Sequence, residues 1–348
     1  MKIIIMSVFL SAFLFISCGS DTGSGDGNDS NVTPDETTDE ATDELNDNDL
    51  SDEALTEPDE TADDQTDETV NDEDGAGDAP IVIGHNSTDI SKIPETALLN
   101  AKNNLHIAYQ HTSHGSQLIT GMDVLKNHSA YEGKYDWNSD GSSGALELHD
   151  YAISEVSDLS TGDSEDENGD TPWVVATRAF LNDEANSDIN VVMWSWCSGA
   201  DHDAQRYITN MEKLISEYPG VTFPFMTAHS NGDGESTATG AVHMLNQAIR
   251  EHCAQNNRLL FDFADIEAHN PDGDYFWDQN MYDNLNYDGG NWAVEWIADN
   301  SDSELATLTG ECSGCAHSDD PVEANLNCVL KGRAAWWMFA VIAGWNGQ

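Results

Sequence analysis

The chain has 348 residues, with 65 acidic against 12 basic ones and a formal net charge of −53. Such a field repels nucleic acid and other polyanions and favours neutral substrates and divalent cations. The charge is unevenly spread. Residues 19–80 hold 24 of the acidic residues and no Lys or Arg, yet residues 81–348 still hold 41 acidic against 11 basic, a net −30.

Residues 1–18, MKIIIMSVFLSAFLFISC, combine one Lys with a short apolar run and read as a cleaved export signal. Ile16-Ser17 ahead of Cys18 resemble the bacterial lipoprotein processing site. That likeness implies a lipid on Cys18 and an exported protein anchored at the outer membrane or cell surface. Residues 19–80 cannot bury enough apolar surface to offset their ordering entropy, and they read as a disordered acidic tether. Residues 81–348 are long enough for one domain with a substantial core.

Within that domain, strand-like and helix-like stretches alternate, which predicts a three-layer α/β/α fold with a mostly parallel, flavodoxin-like sheet and long inserted loops. The apolar run Leu105–Tyr109 breaks into His111-Thr112-Ser113-His114-Gly115, and a helical stretch follows. A helix over Trp173–Leu181 precedes Ile189–Trp196, an apolar run suited to a strand buried on both faces. Next come a helix at Ala204–Tyr218, a strand at Val221–Thr227, a helix at Ala241–Gln255 and a strand at Arg258–Phe263. Gly332–Ile342 reads as a buried helix, and the excursions Asn127–Asp170 and Glu267–Asn327 are long enough to carry function.

Open α/β sheets bind ligands beyond the carboxyl ends of their strands. There the sequence offers Ser113 between His111 and His114, then Cys197-Ser198-Gly199, then His229-Ser230-Asn231, then Asp265, and late in the chain His317. A hydroxyl, a base and N–H donors are what acyl transfer through a serine requires. Taken alone, the first of these segments reads more simply as a βα turn whose hydroxyl caps the next helix.

The order of these groups resembles the SGNH/GDSL hydrolase superfamily over most of residues 103–348. The resemblance implies a serine esterase or deacetylase acting on small esters or acetylated neutral carbohydrate, with Ser113 as nucleophile and His317 as base. It departs from the family pattern at three places. His111-Thr112 stand where Gly-Asp precedes the serine, Gly314 where an Asp precedes the histidine, and Trp196-Cys197-Ser198-Gly199 where a G-x-N-D is usual. Asp265, Asp201 and Asp319 are candidates for the third triad member. Gly115, Ser198, Gly199, His229 and Asn231 are candidates for the oxyanion hole.

Asp136, Asn138, Asp140, Gly141, Ser142 and Glu147 fit the D-x-[DN]-x-[DN]-G-x5-E loop of calcium sites, which predicts a structural Ca2+ there. Asn270-Pro271-Asp272-Gly273-Asp274 is a weaker match. Cys312, Cys315 and Cys328 are disulfide candidates in an exported chain, and Cys312-x-x-Cys315-Ala316-His317 lacks the C-x-x-C-H of haem attachment. Trp137, Trp277, Trp292 and Trp296, all in the long excursions, suit sugar stacking. Two other readings stand beside the esterase: a non-catalytic glycan-binding module on the same fold, and a metalloenzyme using His111, His114, His229 and a carboxylate. For the esterase the expected partners are the membrane, through the N-terminal lipid, and a neutral carbohydrate or small ester, not nucleic acid, and the expected state is a monomer.

Overall fold

The computed structural model describes residues 81–161 and 164–348. The export signal, lipidation at Cys18 and the acidic tether, all expected over 1–80, lie outside the described residues. The described chain is α/β, with parallel strands flanked by helices in three layers. β2 (His106–Gln110) lies between β4 (Leu146–Asp150) and β5 (Val191–Trp194), with β3 (Trp137–Asn138) outside β4. A second parallel group orders β1 (Val82–Ile83), β7 (Leu260–Phe261) and β6 (Phe225–Met226).

Thr222 joins the two groups. Its N–H donates to the Asn190 carbonyl at 2.8 Å, and its carbonyl accepts from Val192 N at 3.0 Å. Pro224 has no N–H to give the ladder, so the predicted strand Val221–Thr227 shrinks to Phe225–Met226 plus this one bridge. The expected strand at Arg258–Phe263 likewise ends early, because the Asp262 carboxylate caps α6 (Phe263–Ala268). The two excursions are not structureless. The first contains β3 and β4; the second contains the hairpin of β8 (Asn286–Tyr287) and β9 (Gly290–Asn291), then α7 (Trp292–Asp299) and α8 (Glu304–Glu311).

The helices pack in two groups, with α3 (Pro172–Leu181), α4 (Ala204–Glu217) and α5 (Ala241–Asn256) in one. In the other, α9 (Leu326–Ile342) packs on α1 (Glu95–Asn104), α2 (Ser116–Asn127), α6 and α8. Residues 326–341 of α9 are all buried, so this helix has no solvent face. Where α2 and α9 cross, Gly121 meets Gly332. A Cβ on Gly121 would overlap the Cys328 carbonyl, and one on Gly332 would overlap the Gly121 backbone. Only paired glycines let the two backbones approach so closely, and that approach fixes the N-terminal ends of both helices relative to each other. Among the described residues, no helix is long and apolar enough to cross a membrane.

Trp277, Trp292 and Trp296 are buried, and Trp137 is half-buried with the Lys126 ammonium over its ring. The three buried rings belong to the core, so they offer no face for stacking a sugar. Their position in long excursions is misleading because those excursions fold over the core.

Candidate active site

From β2 the chain turns to β4 on one side and β5 on the other, which makes the carboxyl end of β2 a switch point where an open sheet leaves a crevice. His111 to Gly115 occupy that position. The His111 ring is buried, with Nε2 2.7 Å from the Asp150 carboxylate at the end of β4, and Thr112 Oγ1 donates to Asp158 at 2.6 Å. These two residues peg the turn immediately ahead of Ser113. The Ser113 hydroxyl is not the cap of α2: the N-cap is Gly115, and no side chain caps that helix. Gly115 has an ordinary helical φ of −64°, so it is required for space and not for conformational freedom. A Cβ there would overlap Ser195 Oγ and His111 Cβ. Among the described residues, the N–H groups of His114 and Gly115 donate to no protein acceptor.

His317 lies between α8 and α9 in the left-handed region, with φ +63°. The Cys315–Cys328 disulfide ties its loop to the first turns of α9. Gln117 Nε2 donates to the Ala316 carbonyl at 2.6 Å, so α2, which follows the serine, also grips the loop that carries the histidine. Ser318 Oγ donates to the Asp283 carbonyl at 2.5 Å, and Asn327 Nδ2 reaches the same oxygen at 3.2 Å.

These constraints bring His317 Nε2 to 2.8 Å from Ser113 Oγ, across 204 residues of sequence. The carboxylate beside the imidazole is Asp283, with Oδ2 3.7 Å from His317 Nδ1. At that separation Asp283 acts on His317 through charge, while its hydrogen bond, at 2.9 Å, comes from His114 Nε2. The His114 ring is sandwiched. It stacks on His317 at 4.0 Å with a 2° interplanar angle, and on His229 at 3.5 Å with a 4° angle.

Burial lowers the His317 pKa, opposed by the Asp283 charge, and burial with the neighbouring His229 pushes His114 further down. Both rings are therefore neutral near neutral pH, as a base awaiting a proton must be. Burial works to raise the Asp283 carboxyl, but the His114 hydrogen bond and the surrounding imidazoles outweigh it and hold the group below its ordinary value.

A second polar layer lies behind this site. Lys331 and Glu267 form a fully buried ion pair at 2.8 Å. Glu267 accepts the Ser230 N–H, while Lys331 donates to Gln117 Oε1 at 2.5 Å and sits 3.5 Å from the Phe263 ring centre. Burial pulls the Lys331 pKa down to about 8, against the pull of Glu267. Through Gln117 and Ser230 the pair braces the His317 loop and the His229 segment together.

Several expected site residues are elsewhere. Asp265 is not the partner of His317: its carboxylate accepts from His85 Nδ1 at 2.7 Å and lies 3.3 Å from His269 Nδ1. It belongs to α6, at the far end of the sheet order, where β1 delivers His85. Asp319 reaches His317 only through its charge. His229 is not an oxyanion donor, because Nε2 is 2.5 Å from the Cys197 carbonyl and Nδ1 2.8 Å from the Ser230 carbonyl. Ser198 N points to Ser160 Oγ at 3.4 Å, Gly199 packs against Ala228 and Leu245, and Asn231 pairs with Tyr282 through the backbone. Of the expected donors, Gly115 is the one left beside the serine.

The Asp136–Glu147 segment folds as a link between β3 and β4, without flanking helices. Asn138 and Asp140 cap their own backbone, with Oδ1 of each accepting the N–H two residues on, from Asp140 and Ser142. Glu147 turns both oxygens to His106 and His149 and neither to the loop's acidic residues. Asn270 likewise spends its amide on Asp272 and Asp274. Of the three candidate cysteines, Cys312 is free and buried.

Asp283 and the sandwiching role of His114 carry no motif that sequence reasoning could find. The only hint of Asp283 is its place in a long excursion. Compared with family models, curated proteins and solved structures, the chain matches none of them.

Metal chelation fits this site poorly. A metal binds an imidazole nitrogen at about 2.0–2.1 Å in the plane of the ring. Rings lying parallel at 4.0 Å, as His114 and His317 do, cannot both hold one ion in plane. His111 is spent on Asp150 and His229 on two carbonyls, so neither joins them.

Proposed function

We propose that the chain is a serine esterase or deacetylase of the SGNH/GDSL kind, with Ser113 as nucleophile, His317 as base and Asp283 as the carboxylate. The observation that carries this reading is the 2.8 Å contact between Ser113 Oγ and His317 Nε2, with Asp283 on the opposite edge of the imidazole. In the reaction, Nε2 takes the hydroxyl proton as Oγ attacks the ester carbonyl. The unspent N–H groups of His114 and Gly115 lie next to the nucleophile and receive the oxyanion. The imidazolium, stabilised by the Asp283 charge, gives its proton to the leaving alcohol. Water, deprotonated by the same nitrogen, then releases the acid.

The net charge of −30 over residues 81–348 favours neutral substrates, and esters of neutral carbohydrate are the class we assign. Burial of Trp277, Trp292 and Trp296 removes three of the four rings that a glycan-binding module would have offered for stacking. The N-terminal sequence supports export and lipid attachment at Cys18, and a cell-surface location is part of this reading. Labelling by a fluorophosphonate probe, lost in Ser113→Ala and in His317→Ala, tests the mechanism, with an acetyl-ester panel reporting substrate class. An unlabelled parent chain, or hydrolysis unchanged by Ser113→Ala, would falsify it.

A further inference from the structure

The opposite end of β2 carries a second group of chemistry-bearing side chains. We propose that His106, Glu147 and Asp188 form a binding site for a first-row divalent cation, Zn2+ above all. The strand register assembles it. His106 opens β2 directly opposite Glu147 on β4, so both side chains rise from the same face of the sheet. His149, two residues further along β4, shares that face, and Asp188 stands just before β5, on the other side of β2.

His106 Nδ1 lies 2.8 Å from Glu147 Oε2 and His149 Nε2 2.9 Å from Glu147 Oε1. Ligand atoms of His106, Glu147 and Asp188 fall within 4.8 Å of one another. Ligands around a small cation at about 2.0–2.2 Å are spaced more closely than that limit, so binding draws these side chains together by rotation. The Asp188 side chain has no partner among the described residues, and no Lys or Arg pairs with Glu147 there. The site therefore holds two carboxylates with no fixed cation to balance them.

Two features separate this group from the other His–carboxylate clusters. In those, His85 stacks on His269 at 3.7 Å with a 17° interplanar angle and His114 on His317 at 4.0 Å with a 2° angle, which directs their in-plane lone pairs side by side rather than toward one point. His106 and His149 instead approach one carboxylate from its two oxygens, and no ring contact locks them together. The second feature is Gly141, whose Cβ would sit 3.3 Å from Glu147 Oε2. The loop with the calcium-like spacing thus packs closely on Glu147 through its glycine, where a larger residue would crowd the carboxylate. Imidazole nitrogens with carboxylates select zinc and its neighbours over Ca2+, which takes oxygen only.

The test is calorimetric titration of Zn2+ into the chelator-stripped full chain, with Ca2+ as competitor. We expect one Zn2+ per chain, resistant to equimolar Ca2+. Affinity should drop at least about tenfold in His106→Ala, in Glu147→Gln and in Asp188→Asn, while His85→Ala and Ser113→Ala bind as the parent does. Asp188→Asn alters an exposed, unpaired side chain, so it reports binding even where the other variants unfold. No stoichiometric Zn2+ binding, binding unchanged in Asp188→Asn, or displacement by equimolar Ca2+ would overturn the proposal. None of these outcomes depends on ester hydrolysis.

Discussion

Two His–Asp–His clusters follow strands in different parts of the sheet order, one after β1 and β7 and the other beside the end of β2. Asp265 is bonded to His85 and faces His269, with the rings 3.7 Å apart; Asp283 is bonded to His114 and faces His317, with the rings 4.0 Å apart. They differ in what stands in front of them. His317 turns its remaining nitrogen to a serine hydroxyl on a pinned turn, whereas His269 has the Tyr275 ring alongside and no serine hydroxyl is bonded to His85 or His269 among the described residues. Burial differs too: the His114 side chain is 4% exposed and that of His85 26%. A carboxylate and two imidazoles are therefore a common packing solution, and they become a candidate catalytic unit only where the backbone supplies a nucleophile and unspent N–H donors.

That contrast breaks most sharply at the serine. Ser113→Ala should lower kcat/KM for an acetyl ester by about 10³-fold or more, and Asp265→Asn should leave it within about twofold. Equal losses in the two variants would mean that both clusters serve the same chemistry.

The next largest effect belongs to the buried pair behind the site. Lys331→Met leaves Glu267 buried without its partner and should cost about 3–5 kcal/mol in denaturant unfolding. Replacing both residues, Lys331→Met with Glu267→Leu, should recover part of that loss. A single variant as stable as the parent would show that the pair braces nothing.

Asp283→Asn keeps the shape but removes the charge facing His317. Since the carboxylate acts at 3.7 Å and is not in hydrogen-bond contact, a loss of about 10²-fold in kcat is expected, less than a directly bonded triad carboxylate would give. A change confined to KM would argue against this role.

The smallest effects are in pH dependence. Activity requires neutral His317, whose pKa burial holds below 6.5, so the acid limb of kcat/KM should fall below pH 6.5. The linkage sign is the reverse of a salt-bridged histidine. Once unfolded, His114 and His317 bind protons near 6.5 while the folded rings resist them, so stability should decline as pH falls from 6.5 towards their folded values. In His114→Phe this decline should be shallower. An acid limb above pH 6.5 would contradict the buried, neutral base.

Two of the three residues of the candidate site are legible in the amino-acid sequence. Ser113 follows an apolar strand on a turn with Gly115, and His317 precedes a buried helix, so local pattern and chain order are enough to single them out. Asp283 is not legible, because it reaches His317 through the packing of the β8–β9 segment and the anchors at Ser318 and Asn327, none of which has a sequence period. His229 and Asp265 look eligible for the opposite reason. Both sit at strand ends, where polar residues collect, and only the hydrogen bonds reveal that each is already engaged.

What the sequence determined by itself is the alternation of buried strands and helices, the acidic field, and the two residues whose local chemistry is conspicuous. Apolar periodicity and turn chemistry act over a few residues, so one chain of letters displays them. The tertiary structure decided which acid serves which histidine, which imidazoles stack, and that Glu147 faces His106 and His149. Those outcomes depend on strand register and on the Gly121–Gly332 crossing, where groups distant in the chain compete for the same buried space.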